Sequence, residues 1–306
     1  MRIAVPDLIS NSYFPAVAAV DLGFFKAEGL DAELEMRSPI SRAMDALRGG
    51  EIEFVAGPAH GALSAFPDWK GVKLVAALAQ KTFWLLILRA DLGATPGDVS
   101  AVKGLRIGAA PGPEAAFRRL LTEAGIDLEK DNVQLGPVPG ASDQGVSFGV
   151  HAAKSLEEGI IDGFWANAMG SEVAVRSGAG QVILDVRRGI GPESAQDYTF
   201  AALVTSDNVI EKSPDDVAAA VRGIVRVQNA MRSDPSIATA VGERLFPPEE
   251  AAYIAALVER DLPFYDPSIS EEVVTALNRF AIDTGALSRD VPYDQVVATR
   301  FSGLWY

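Results

Sequence analysis

The sequence predicts an α/β chain folded as two α/β lobes, joined by a two-segment hinge, with a helical C-terminal tail on the first lobe. Three observations carry this. The chain has 306 residues, more than one typical hydrophobic core holds. Its first two-thirds write the same strand and helix order twice. From Ser213 onward every apolar period is helical.

The first copy opens with a strand over Arg2–Val5 and a loop over residues 6–12. A helix follows through Phe14, Val17, Val20, Leu22 and Phe25, stops at Gly29, and leads to a strand over 31–36. The second copy opens with a strand over 105–109 and a loop over 110–112. Its helix runs through Ala116, Leu120 and Leu121, stops at Gly125, and leads to a strand over 132–135. Each copy then repeats one more phrase. Residues 43–48 form a helix before Gly49-Gly50-Glu51-Ile52-Glu53-Phe54, and 152–158 form one before Gly159-Ile160-Ile161-Asp162-Gly163-Phe164. In both a glycine ends the helix, where a left-handed residue is wanted. Strand and helix alternating over short turns predict parallel sheets with helices on both faces.

Between the copies lie two apolar runs, 72–78 and 83–88, and after the second copy 199–205 reads as another strand. Ser213-Pro214-Asp215-Asp216 is a helix start, with a capping residue, proline in the first turn and acids near the positive end of the dipole. Pro247-Pro248-Glu249-Glu250 and Ser270-Glu271-Glu272 open two more helices in the same way. We therefore expect lobe I to comprise residues 1–92 and 193–306, and lobe II residues 93–192, with the chain crossing near 90–99 and returning near 190–198. Two crossings make a hinge, which implies a ligand cleft between the lobes that opens and closes.

Composition excludes several classes of function. Net charge is −14, from 27 basic and 41 acidic residues, whereas nucleic acids and anionic membranes select a basic face. The chain has no cysteine, which rules out disulfides, thiolate metal sites and cysteine nucleophiles. There is no P-loop, dinucleotide-binding GxGxxG, HExxH or GxSxG motif, so no cofactor, metal site or catalytic residue is expected. No apolar run is long enough to span a bilayer. Nor does a charged segment followed by an apolar one precede the first strand. Either a leader has been trimmed or the native protein is made without one.

In open α/β sheets, ligands lie beyond the carboxyl ends of the strands. That rule selects loops over 7–13, 37–39, 57–60, 81–84, 111–114, 165–169 and 196–198. The candidate ligand contacts are Asn11, Ser12 and Tyr13, with Arg37, Ser38 and His60, from the first copy and its flank. Phe83, Glu114, Trp165, Asn167 and Tyr198 come from the rest. Ser10-Asn11-Ser12-Tyr13 combines polar side chains with helix N-terminal amides that suit an anion, or simply caps the helix. His60 stands at the mouth of a buried strand, while His151 sits on a helix and reads as structural. Phe83, Trp165 and Tyr198 offer aromatic walls, and Phe164 reads as core. Glu114 either complements its helix start or faces the cleft, where it would favour an amine or hydroxyl.

The stretch from Tyr13 to Asp31, with Gly23-Phe24-Phe25-Lys26-Ala27-Glu28-Gly29-Leu30-Asp31 at its end, resembles the opening of the nitrate, sulfonate and taurine class of ABC-transporter binding proteins. That class includes relatives that bind thiamin pyrimidine precursors. Ala46-Leu47-Arg48-Gly49-Gly50-Glu51-Ile52-Glu53-Phe54, Val102-Lys103-Gly104-Leu105-Arg106-Ile107-Gly108 and the second-copy segment from Leu156 to Phe164 resemble further parts of it. The likeness covers roughly the first two-thirds of the chain. It implies a type II periplasmic-binding fold, an ABC permease as partner, a monomer and a periplasmic location, and it does not fix the ligand, which we expect to be a small organic molecule, aromatic or carboxylated. A cytoplasmic location follows if Met1 is the native start. The family also contains a desulfinase and a pyrimidine synthase that rely on cysteine, and this chain has none, so the resemblance does not extend to those two. The alternatives are a cytosolic enzyme of decarboxylase or hydrolase type using His60, or a cytosolic ligand sensor. The loop over 139–147 is longer than is usual for the class.

Overall fold

The computed structural model describes residues 1–141 and 147–306, so most of the long loop expected over 139–147 lies outside the described residues. The chain divides into two compact units. Unit one is Met1–Lys81 with Thr199–Tyr306, and unit two is Thr82–Tyr198. The first passage comes earlier than the 92/93 boundary expected from the sequence, because Leu85–Arg89 pairs on both sides with strands of unit two. The return falls between Tyr198 and Thr199, a little later than expected.

Unit one begins with β1 (Arg2–Val5), α1 (Phe14–Asp21), α2 (Phe24–Ala27), β2 (Glu33–Met36), α3 (Ile40–Arg48), β3 (Phe54–Pro58) and β4 (Val72–Ala79). Unit two holds β5 (Leu85–Arg89), β6 (Arg106–Ala109), α4 (Pro113–Glu123), β7 (Gln134–Gly136), α5 (Phe148–Glu157), β8 (Gly163–Ala166), α6 (Ala168–Arg176) and β9 (Gly180–Leu184). Unit one resumes with β10 (Ala201–Ser206), α7 (Asp207–Lys212), α8 (Pro214–Ser233), α9 (Ile237–Leu245), α10 (Pro248–Asp261), α11 (Glu271–Asp283) and α12 (Tyr293–Val296).

The two sheets share one plan. Unit one has the order β2-β1-β3-β10-β4 and unit two β7-β6-β8-β5-β9. In the first, β1 runs parallel to β2 and β3, with Ile3 opposite Leu34 and Phe54. In the second, β6 runs parallel to β7 and β8, with Ile107 opposite Leu135 and Gly163. The parallel sheets expected from the sequence are therefore mixed sheets. In each the fourth strand of the order, β10 or β5, runs against both neighbours. Each is the first strand after a passage, reached without a helix from its own unit. The crossover that keeps successive strands parallel does not apply there.

The repeated grammar reappears in the helix stops. α3 ends on Gly49 in right-handed conformation and Gly50 at φ 71°, and α5 ends on Glu158 and Gly159 at φ 72°. The left-handed residue is the second of each pair, where any Cβ would be strained. β3, β4 and β10 are buried almost throughout, with α3 packed on β3, α8 and α12 on β4, and α7 on β10. Gly223 of α8 lets Phe25 sit against the helix backbone, since a Cβ there would meet Phe25 Cδ1 at 2.3 Å. Burying a ring of that size stabilises the fold by roughly 1.5–3 kcal/mol. Farther along α8, Gln228 Nε2 donates to the carbonyls of Ala77 (3.1 Å) and Leu78 (3.0 Å) and ties the helix to β4. Ser270 caps α11 by accepting from the Val273 amide, whereas Ser213 makes no such bond and α8 starts on Pro214, Asp215 and Asp216.

Candidate functional site

Parallel β1, β2 and β3 open their carboxyl ends on one edge of the unit-one sheet. Because β10 pairs antiparallel with β3, Ala201 opposite Pro58, the residues leading into β10 reach the same edge. The unit-two sheet repeats this. The carboxyl ends of β6, β7 and β8 share an edge with the start of β5, whose Leu85 faces Ala166.

In unit one, Ser10, Asn11 and Ser12 are buried in the turn that leads into α1. Asn11 is anchored twice: its Nδ2 donates to the buried carboxylate of Asp261, and its carbonyl accepts from the Tyr265 phenol at 2.7 Å. Tyr13 is buried as well. Burial pushes its phenol well above its ordinary range, and the nearby Asp7 carboxylate adds to the shift, so this hydroxyl stays protonated. His60 lies in the first part of the short helical turn Ala59–Ser64 after β3, with Nδ1 2.9 Å from Thr199 Oγ1 and its ring edge-on to Phe280 at 5.4 Å. Burial lowers its pKa to about 4, which leaves a neutral imidazole at physiological pH. The guanidinium of Arg37 is held between Glu35 and Glu51, at 2.7 Å each, and Ser38 is exposed beside it.

In unit two the aromatic residues form a buried chain. Phe83 and Trp84 lie 4.7 Å apart, Trp84 and Trp165 6.4 Å, and Trp165 stacks on Phe117 of α4 at 5.0 Å. The structure thus places Trp165 in the interior of unit two along with Phe164, rather than on a loop. The Arg187 guanidinium sits over the Phe83 ring at 5.7 Å. Asn167 caps α6, its Oδ1 accepting from the Gly170 amide at 3.1 Å. Glu114, in the first turn of α4, pairs with Arg118 at 2.6 Å. The Tyr198 phenol donates to Glu123, which also accepts from Ser194. Burial, ahead of that carboxylate, holds the phenol well above its usual range. His151 bonds the Pro139 carbonyl at 2.8 Å. A concavity of about 510 Å³, lined by Arg118, Thr122, Ile126 and Lys130 among others, lies around the end of α4, away from these loops.

A model of the NMT1/THI5 like family matches residues 10–238. The chain belongs to that family.

The NMT1/THI5-like chain also shares its fold with solved structures along its whole length. The periplasmic aliphatic sulphonate binding protein SsuA from Escherichia coli is 13% identical, with 97% of this chain and 91% of that one covered and a TM-score of 0.72. The periplasmic nitrate-binding protein NrtA from Synechocystis PCC 6803 is 13% identical, with 99% and 86% covered and a TM-score of 0.69. The desulfurization enzyme DSZB is 15% identical, with 99% and 97% covered and a TM-score of 0.65. A search of curated protein sequences found no match.

Several residues around these edges of the NMT1/THI5-like fold had no signal in the sequence. Asp261, Tyr265 and Phe280 reach the unit-one edge from the helical tail. Thr199 and Arg187 reach their edges from the antiparallel side of each sheet. Among the described residues no group of three or more histidine and acidic side chains could hold a metal ion, and no helix is long and apolar enough to cross a membrane.

Proposed function

We propose that this chain is the solute-binding component of an ABC-type importer, which takes up one small organic molecule and hands it unchanged to a membrane permease. The observation that carries this reading is its membership of the NMT1/THI5-like family together with a whole-chain fold shared with sulphonate- and nitrate-binding proteins. In this reading the ligand is held at the strand-end loops. Ser12, Tyr13 and His60 do so in unit one, with Asn11 shaping the turn, and Glu114 and Asn167 in unit two. A neutral His60 and a protonated Tyr13 suit hydrogen bonding to a ligand better than charge pairing. The receptor works as a monomer in the periplasm.

The second reading is an enzyme in which His60 moves a proton, since an enzyme, DSZB, is built on the same fold. One experiment separates the two. The protein is melted in the presence of small carboxylates, sulfonates, aromatic acids and pyrimidines, since a ligand that binds only the folded state raises stability by mass action. The bound compound is then recovered and weighed. A hit that leaves with its mass unchanged, and is lost in His60→Ala, supports the receptor. A hit that is chemically converted overturns it in favour of the enzyme.

A further inference from the structure

His60 and Thr199 both belong to unit one, and the contact between them decides where the imidazole carries its hydrogen. Thr199 is 1% exposed, so its hydroxyl hydrogen has to find an acceptor within the protein. Two are in reach: His60 Nδ1 at 2.9 Å and the Phe200 carbonyl at 3.5 Å. The carbonyl lies beyond the span of an O–H···O bond, about 2.5–3.0 Å, and it already accepts from the Ala59 amide at 2.8 Å. The hydroxyl therefore donates to Nδ1. In the reverse arrangement Nδ1–H would donate to Oγ1, and the buried hydroxyl hydrogen would keep only the long contact, which forfeits a hydrogen bond. Burial leaves His60 neutral, and a neutral imidazole that accepts at Nδ1 carries its hydrogen on Nε2. Nε2 diverges from Thr199 across the ring, and the ring itself is only half-buried at the end of β3.

We propose that Thr199 is a positioning residue that fixes His60 as an Nε2–H donor, so that the ligand is one that brings a hydrogen-bond acceptor to this atom. The acceptor is a carboxylate, sulfonate or carbonyl oxygen rather than an ammonium group, which has donors alone. This rests on the reading of His60 as a ligand contact. It also bears on the enzyme alternative, because an Nε2 that already holds its hydrogen takes no proton from a ligand.

The chain has two histidines, so nitrogen NMR of the labelled full chain at neutral pH resolves their ring atoms, and the spectrum of His60→Gln identifies those of His60. A ring nitrogen that bears hydrogen and one that bears a lone pair resonate far apart. His60 is expected to show Nε2 with hydrogen and Nδ1 without. Thr199→Val, which keeps the size of the side chain, should move both signals toward their average, and Thr199→Ser should restore them. Loss of packing alone would lower the melting temperature without this pattern. Benzoate and methanesulfonate then serve as acceptor probes, with benzylammonium as the donor-only control. At least one acceptor probe should shift Nε2 and bind Thr199→Val roughly three- to tenfold more weakly, the worth of one hydrogen bond, while benzylammonium leaves Nε2 unmoved. Hydrogen on Nδ1, an unchanged pattern in Thr199→Val, or an Nε2 that answers to neither acceptor probe overturns the proposal. Chemical conversion of a probe would instead overturn the importer reading, so the two failures are told apart.

Discussion

His60 Nδ1 lies 2.9 Å from Thr199 Oγ1, and the imidazole meets the Phe280 ring edge-on. This joins the end of β3 to the strand after the return passage and to the helical tail. It has a consequence for acid stability. Burial holds His60 at about 4 in the folded protein, while the unfolded chain takes up that proton near 6.5. Between those values the unfolded state binds more protons, so stability rises with pH. The contribution is complete above about 6.5 and is lost as pH falls through about 4. Melting curves from pH 4 to 8 should show wild type losing stability on acidification more steeply than His60→Gln. Parallel curves would mean that the ring is solvated and keeps its ordinary pKa.

Tyr265 should matter to the unit-one edge although it lies far along the chain. Its phenol donates to the Asn11 carbonyl at 2.7 Å, both residues being buried. Tyr265→Phe leaves that carbonyl without its donor, at a cost of about 1–3 kcal/mol. Urea denaturation measures the loss. Ligand affinity should fall too, because Asn11 loses a hydrogen bond that helps to fix the turn over residues 10–13. A variant with wild-type stability and affinity would show that the turn does not depend on the Tyr265 bond.

The strand-end loops were legible from sequence because the signals are local: short apolar runs, glycine stops and helix starts. What meets at those loops was not. Asn11 and Tyr265 are 254 residues apart, and nothing near either announces the pairing. The allegiance of Leu85–Arg89 was hidden for a related reason. An apolar run reads alike whether it ends one sheet or begins another, and only its partners β8 and β9 decide. Trp165 shows the third kind of limit. Every residue of β8 is buried, so the strand has no alternation from which to tell an inward ring from one lining a site.

Arg37 follows β2 at the loop edge, yet its guanidinium is engaged by Glu35 and Glu51, and these contacts raise its already high pKa. Such partly exposed pairs contribute about 0–1 kcal/mol. Arg37→Ala should therefore change the denaturation midpoint little, and shift ligand affinity by less than about threefold, under 1 kcal/mol. A loss of tenfold or more in calorimetry would mean that the guanidinium leaves its carboxylates to hold an anion, and would make Arg37 part of the site.

Trp165 separates packing from recognition most cleanly. Its ring is 1% exposed and stacks on Phe117 at 5.0 Å with 21° between the planes. Truncating a buried ring of this size typically costs about 3–5 kcal/mol, so Trp165→Ala should unfold at markedly lower urea whether or not a ligand touches it. That variant alone says nothing about binding. Its indole Nε1 is buried without a hydrogen-bond partner, and Trp165→Phe removes this group while keeping an aromatic ring against Phe117. If the ring serves only as packing, Trp165→Phe should be more stable than Trp165→Ala and bind ligand as wild type does. A drop in affinity in Trp165→Phe that exceeds its loss of stability would mean that the indole N–H donates to the ligand.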